Sequence, residues 1–160
     1  TPLTPGTTLM VDMAGNYRPN MDDMTRTFVI EHAPDIAYKA HQVSLNIVHT
    51  IEASTKAGVP CAELWHQAEK IVKEHKLEAY FMGTAQQAKF VGHGVGLEIN
   101  EPPVLTPRSK EVLEPGMAIA LEPKFVLPGI GAVGIENTYI VHSDRLEKVT
   151  LYEEALGVLK

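Results

Sequence analysis

Asp12, Asp23, Glu122 and Glu136 each stand in a run of apolar, strand-forming residues. Asp12 follows Leu9-Met10-Val11, and Asp23 leads through Met24 into Phe28-Val29-Ile30. Glu122 closes Ala118-Ile119-Ala120-Leu121, and Glu136 lies between Val133-Gly134-Ile135 and Tyr139-Ile140-Val141. Ionised carboxylates in such surroundings are costly unless each is paired or bound to a cation. A fifth residue joins them. His93 sits in GHGVGLEINEPP, with Gly92 and Gly94 on either side. Glycine costs backbone entropy, so its use there signals a need for space or unusual dihedrals. Four oxygen donors and one imidazole suit Mn²⁺, Co²⁺, Fe²⁺ or Zn²⁺ rather than a closed structural zinc site. Four carboxylates are enough to bridge two ions about 3.5 Å apart, the spacing of two-metal hydrolases. The competing reading pairs the acids with Arg18, Arg26 or Lys124. It accounts for any one acid more easily than for all four together with His93.

These residues need elements to place them. Thr7–Met13 and Asp23–Ile30 read as strands with the turn-rich AGNYRPN between them, a hairpin that carries Asp12 and Asp23. Pro34-Asp35 opens a helix whose Ile36, Ala40, Val43, Ile47 and Ile51 recur on one face, and Lys56-Ala57-Gly58 ends it. A second helix runs from about Cys61 to His75, with Leu64, Ala68, Ile71 and Val72 inward. From Phe81 to Pro115 the periodicity fades, which places His93 in a loop. Gly116–Leu127 and Ile135–Val141 read as strands joined by the turn Pro128–Gly134, a second hairpin that carries Glu122 and Glu136. Helices grouped apart from antiparallel strands predict an α+β domain rather than alternating βαβ units.

The 160-residue length suits one domain with its own core. No run of apolar residues is long enough for a membrane span, and no segment reads as a signal peptide. The net charge of −6 argues against nucleic acid as a partner; two divalent ions would bring it to about −2. Cys61 is alone, which fits a reducing cytoplasm. It is read as structural rather than nucleophilic. GIGAVG (Gly129 to Gly134) matches a dinucleotide fingerprint letter for letter, but strand rather than helix follows it. The other six histidines form no H-E-x-x-H pair.

The four blocks together resemble the pita-bread metallopeptidases: methionine aminopeptidase, aminopeptidase P and prolidase. VDMAGNYRPNMDDMTRTF resembles D-x-G-x₄-(G)Y-x-S-D-x-T-R-T. GHGVGLEINEPP resembles G-H-G-x-G-x-x-x-H-E-x-P. LEPGMAIALEPKF and GIENTYIV resemble the family's last two blocks. The TRT triplet and the Glu-Pro after a Gly-Met strand put the resemblance nearest the Xaa-Pro peptidases. It implies an antiparallel curved sheet with helices on its outer face, and a homodimer. It also implies two divalent ions, Mn²⁺ or Co²⁺ before Zn²⁺ or Fe²⁺. Asp12 would chelate one, Asp23 and Glu136 would bridge the pair, and His93 and Glu122 would bind the other. The implied activity is hydrolysis of the peptide bond before a proline at the second position of a short peptide, through a hydroxide bridging the ions. Glu122 would shuttle the proton. The glycines beside His93 would let backbone pass close to metal and substrate.

Two departures from the family pattern matter. Asn100 stands where the family has a substrate-contacting histidine; it can donate a hydrogen bond but carries no proton. The Glu-Asp of the last block reads Glu136-Asn137. The second change is mild. Asn100 leaves open a metal-dependent lyase or hydrolase of a small non-peptide substrate, and Asn100 together with the missing upstream half leaves open a catalytically silent binding domain. The sequence opens Thr1-Pro2-Leu3 and enters a strand almost at once. The first helices of the fold have no counterpart, so residues 1–160 are expected to be a catalytic domain forming the C-terminal portion of a longer chain. Alone, such a portion would expose apolar sheet surface.

Overall fold

The computed structural model describes residues 3–160, with only the backbone of Tyr17; the opening Thr1-Pro2 lies outside the described residues. Two long strands begin it, β1 (Thr8–Tyr17) and β2 (Asn20–Ile30). They pair antiparallel from Thr8↔Val29 to Tyr17↔Asn20. Most of the stretch read as a turn therefore belongs to strand, and the reversal itself falls on Arg18-Pro19, with Arg18 at φ 57°. Asp12 lies opposite Thr25, and Asp23 opposite Ala14. The period of two puts Asp12, Asp23 and Thr25 on one face.

Two helices follow, α1 (Asp35–Ser54) and α2 (Cys61–Glu74). Proline precedes each, where fixed φ and a missing N–H cost nothing at a helix start. Gly58, at φ +89°, makes the turn between them. The inward faces are those the spacing predicts. Ala40, Val43, Ile47 and Ile51 of α1 and Leu64, Ala68, Ile71 and Val72 of α2 are buried, while Ile36 packs at the margin. Trp65, Phe81 and Phe125 stack in sequence at centroid separations of 5.7 and 5.3 Å, fastening α2 to the strands.

The stretch read as loop holds β3 (Gly92–Gly94) and β4 (Glu101–Val104). Then come β5 (Ala118–Leu121), β6 (Lys124–Leu127), β7 (Gly131–Gly134), β8 (Asn137–Val141), β9 (Leu146–Lys148) and β10 (Gly157–Leu159). One sheet runs β4-β3-β5-β8-β9, a second pairs β6 with β7, and a third is β1-β2-β10. The predicted strand Gly116–Leu127 is thus divided at Glu122-Pro123. Proline has no N–H to give to a ladder, and the chain passes there from one sheet to another. The return strand divides at Ile135-Glu136. The turn read over Pro128–Gly134 is shorter: Pro128–Ile130 make it and Gly131–Gly134 form β7, so GIGAVG is part turn and part strand of the β6–β7 hairpin, with no helix after it. The last strand, β10, lies parallel to β2, a pairing the sequence did not announce. No described helix is long and apolar enough to cross a membrane.

The outer face of β1–β2 carries an apolar groove lined by Val11, Met13, Met24, Phe28 and Tyr152.

Candidate metal centre

His93 sits in a strand, not a loop. β3 is only three residues long and lies between β4 and β5. Its glycines answer to these neighbours. A Cβ on Gly92 would run into the carbonyl oxygen of Ala120, and one on Gly94 into those of Pro102 and Glu101. Packing between two flanking strands by itself requires glycine at both positions. The His93 ring is 3% exposed, and its Nδ1 lies 3.0 Å from the carbonyl oxygen of Gly94. That oxygen only accepts, so Nδ1 carries the hydrogen and the ring turns Nε2 toward the carboxylates. This is how a metal-binding imidazole is set.

Nε2 faces three carboxylates. Glu122 Oε1 is 3.5 Å away, Asp23 Oδ2 3.8 Å and Glu136 Oε1 3.9 Å. These separations exceed direct hydrogen bonds and suit ligands placed around a common ion. Asp23, His93 and Glu136 each offer a ligand atom within 4.8 Å of the others. Glu122 and Glu136 reach the cluster from the two breaks in the sheet. The ladders on either side, Leu121↔Asn137 and Lys124↔Gly134, put them opposite one another where strand pairing opens. Their backbone donors are satisfied elsewhere: Glu122 N–H by Val91 O at 2.9 Å, Glu136 N–H by Thr25 O at 3.1 Å. Asp12 is exposed at the edge of the group and interacts with Asp23. Asn100 lies on an exposed bend just before β4.

The electrostatics call for positive charge. Asp23, Glu122 and Glu136 are 6%, 6% and 2% exposed. Burial, then repulsion from Asp12, pushes Asp23 up to about 6. Burial, then repulsion from Glu122, pushes Glu136 up to about 8, even though a Thr25 hydrogen bond favours its charge. Of the basic groups weighed against a metal, Lys124 forms an ion pair with Glu122. Arg26 turns to backbone instead. It donates to the carbonyls of Glu136 at 2.8 Å, Thr25 at 2.9 Å, Glu153 at 2.8 Å and Tyr152 at 2.9 Å, and to Asn137 Oδ1 at 2.9 Å. The donor set, its burial and its shortage of positive charge fit a divalent cation.

A supporting shell was not legible beforehand. Thr25 Oγ1 donates to Glu136 Oε2 at 2.7 Å. Thr138 Oγ1 donates to the carbonyl of Asp23 at 2.8 Å and accepts from its N–H at 3.0 Å. Asn137, fully buried, accepts from Arg26 and Thr150 and donates Nδ2–H to Glu154 Oε1 at 2.8 Å. The TRT triplet signalled Thr25 and Arg26, though only as a marker of branch. Cys61 is buried, and burial pushes its thiol up to about 11, which agrees with a structural role.

The sequence profile of Metallopeptidase family M24 matches residues 1–143. The chain belongs to metallopeptidase family M24. The Xaa-Pro dipeptidase of Pyrococcus furiosus is 30% identical to this M24 chain over 151 residues, 94% of this chain and 42% of its own length. A solved Xaa-Pro dipeptidase from Bacillus anthracis is similar with a TM-score of 0.87 and 33% identity, over 97% of this chain and 42% of its own. The solved prolidase from Pyrococcus furiosus gives 0.84 and 30%, over 93% and 42%. The fold is therefore the pita-bread fold of M24, on the side of the Xaa-Pro peptidases. The chain spans about 42% of the length of the curated relatives it matches.

Proposed function

We propose that the full-length protein is a metal-dependent exopeptidase that hydrolyses the bond before proline in a short peptide, with two divalent ions, Mn²⁺ or Co²⁺, at its centre. The convergence of Asp23, Glu122 and Glu136 on Nε2 of His93 carries this reading. When bound, such ions supply Lewis acidity, which makes water acidic near neutral pH and polarises a carbonyl. The protein side of the chemistry falls to named groups. Asp12, Asp23, His93, Glu122 and Glu136 would hold the ions. Glu122 takes a proton at a carboxylate oxygen and returns it to the leaving amine. Asn100, from its bend before β4, gives an amide hydrogen to the substrate.

The test is turnover of Xaa-Pro dipeptides by the full-length protein with Mn²⁺ or Co²⁺. Hydrolysis of these over dipeptides lacking proline is expected. Glu122→Gln should keep the fold and remove most of the rate, and an undiminished rate would refute its role. Asn100 in place of an imidazole favours a second reading, a metal-dependent lyase or hydrolase of a small non-peptide substrate. Metal binding without peptide hydrolysis, with turnover in a small-molecule panel, would select it. A silent binding domain would turn over neither.

A further inference from the structure

One basic side chain stands within the carboxylate cluster. Lys124 opens β6 two residues after Glu122. Its ammonium forms an ion pair with Glu122 Oε2, while Glu122 Oε1 lies 3.5 Å from His93 Nε2. Glu122 is thus divided between a cation the chain itself supplies and the imidazole with which it would share an ion. The lysine side chain is only 26% exposed, and it also interacts with Glu136 and Asp12. The strand opposite keeps it there. Across the ladder from Lys124 is Gly134, where a Cβ would come within 2.7 Å of the lysine Cβ and 2.9 Å of the Pro123 carbonyl oxygen. Any larger residue at 134 would push Lys124 off this line.

We propose that Lys124 competes with a divalent ion for Glu122, so that the ion held by Glu122 and His93 binds more weakly than it would without the lysine. This rests on the metal-centre reading above. An ion on Oε1 shares the carboxylate with the ammonium on Oε2, and it sits beside that like charge in a site with little water to screen the two. No proton and no covalent bond is exchanged.

Calorimetric titration of metal-free, full-length protein with Mn²⁺ tests this directly. Lys124→Met should tighten one binding step at least about tenfold relative to the wild type, because a neutral chain no longer opposes the ion. Lys124→Arg, which keeps the charge, should leave the wild-type affinities unchanged. Circular dichroism confirms that both variants fold. Affinities unchanged in Lys124→Met would overturn the competition while leaving the metal centre standing. No Mn²⁺ binding by any of the three proteins would overturn both. The readout is binding rather than turnover, so it stands apart from the question of which peptide is cleaved.

Discussion

Thr25 donates its hydroxyl hydrogen to Glu136 Oε2 across 2.7 Å, while the other oxygen of that carboxylate faces His93 Nε2 at 3.9 Å. One oxygen is fixed by the neighbouring strand and the other is left for a ligand role. The same two residues also bridge by backbone, with Thr25 N–H to Glu136 O at 3.3 Å and the reverse at 3.1 Å. Thr25 therefore aims Glu136. Thr25→Val keeps shape and volume and removes the hydroxyl. Groups that orient a ligand are worth about 10–100-fold in metal affinity, so Mn²⁺ affinity by titration should fall about tenfold. Unaltered affinity would show that Glu136 is held by packing alone.

Asn137 has a reason to be an amide. Its Nδ2–H points to Glu154 Oε1 at 2.8 Å, and its Oδ1 accepts from Arg26 and Thr150. An aspartate here would face the Glu154 carboxylate with a second negative charge. Asn137→Asp should cost on the order of 2 kcal/mol at neutral pH, read by urea denaturation. The loss should shrink on acidification as the new carboxyl takes a proton. A variant as stable as the parent at pH 7 would mean that Arg26 absorbs the extra charge.

The raised carboxylates set a pH dependence. Asp23 moves up from 3.8 to about 6 and Glu136 from 4.5 to about 8, each chiefly by burial. Between about pH 4 and pH 8 the ion-free folded protein holds protons that the unfolded chain has released. Stability must then fall as pH rises through that window. Glu154 acts in another range. Burial opposes its charge, but donors from Lys148, His49 and Asn137 outweigh this and hold it down to about 2, so its contribution is lost only as pH drops below 4.5. The thermal midpoint in EDTA should decline from pH 5 to pH 8, and saturating Mn²⁺ should remove the decline. A midpoint in EDTA that climbs over this range would contradict the electrostatics described for the cluster.

The helices and most of the cluster were legible because their signals are local. Ile47 and Ile51 recur at helical spacing, and acids such as Asp23 and Glu136 stand out in apolar strands. His93 was legible as a ligand but not as strand, since Gly-His-Gly carries no alternation and β3 exists only through its neighbours. The break at Glu122-Pro123 was written in the proline, yet the apolar run on both sides hid it. The partners of Arg26 lie up to 127 residues away, and no local pattern encodes contacts of that range. Lys124 was weighed as a rival to metal; the structure places it against the carboxylate cluster, paired with Glu122.

Anomalous diffraction from crystals of the full-length protein grown with Mn²⁺ tests the central claim most directly. The account predicts two strong peaks enclosed by Asp12, Asp23, His93, Glu122 and Glu136, with His93 Nε2 rather than Nδ1 as the coordinating nitrogen. Density free of any anomalous signal between these side chains, in crystals that bind Mn²⁺ elsewhere, would contradict it.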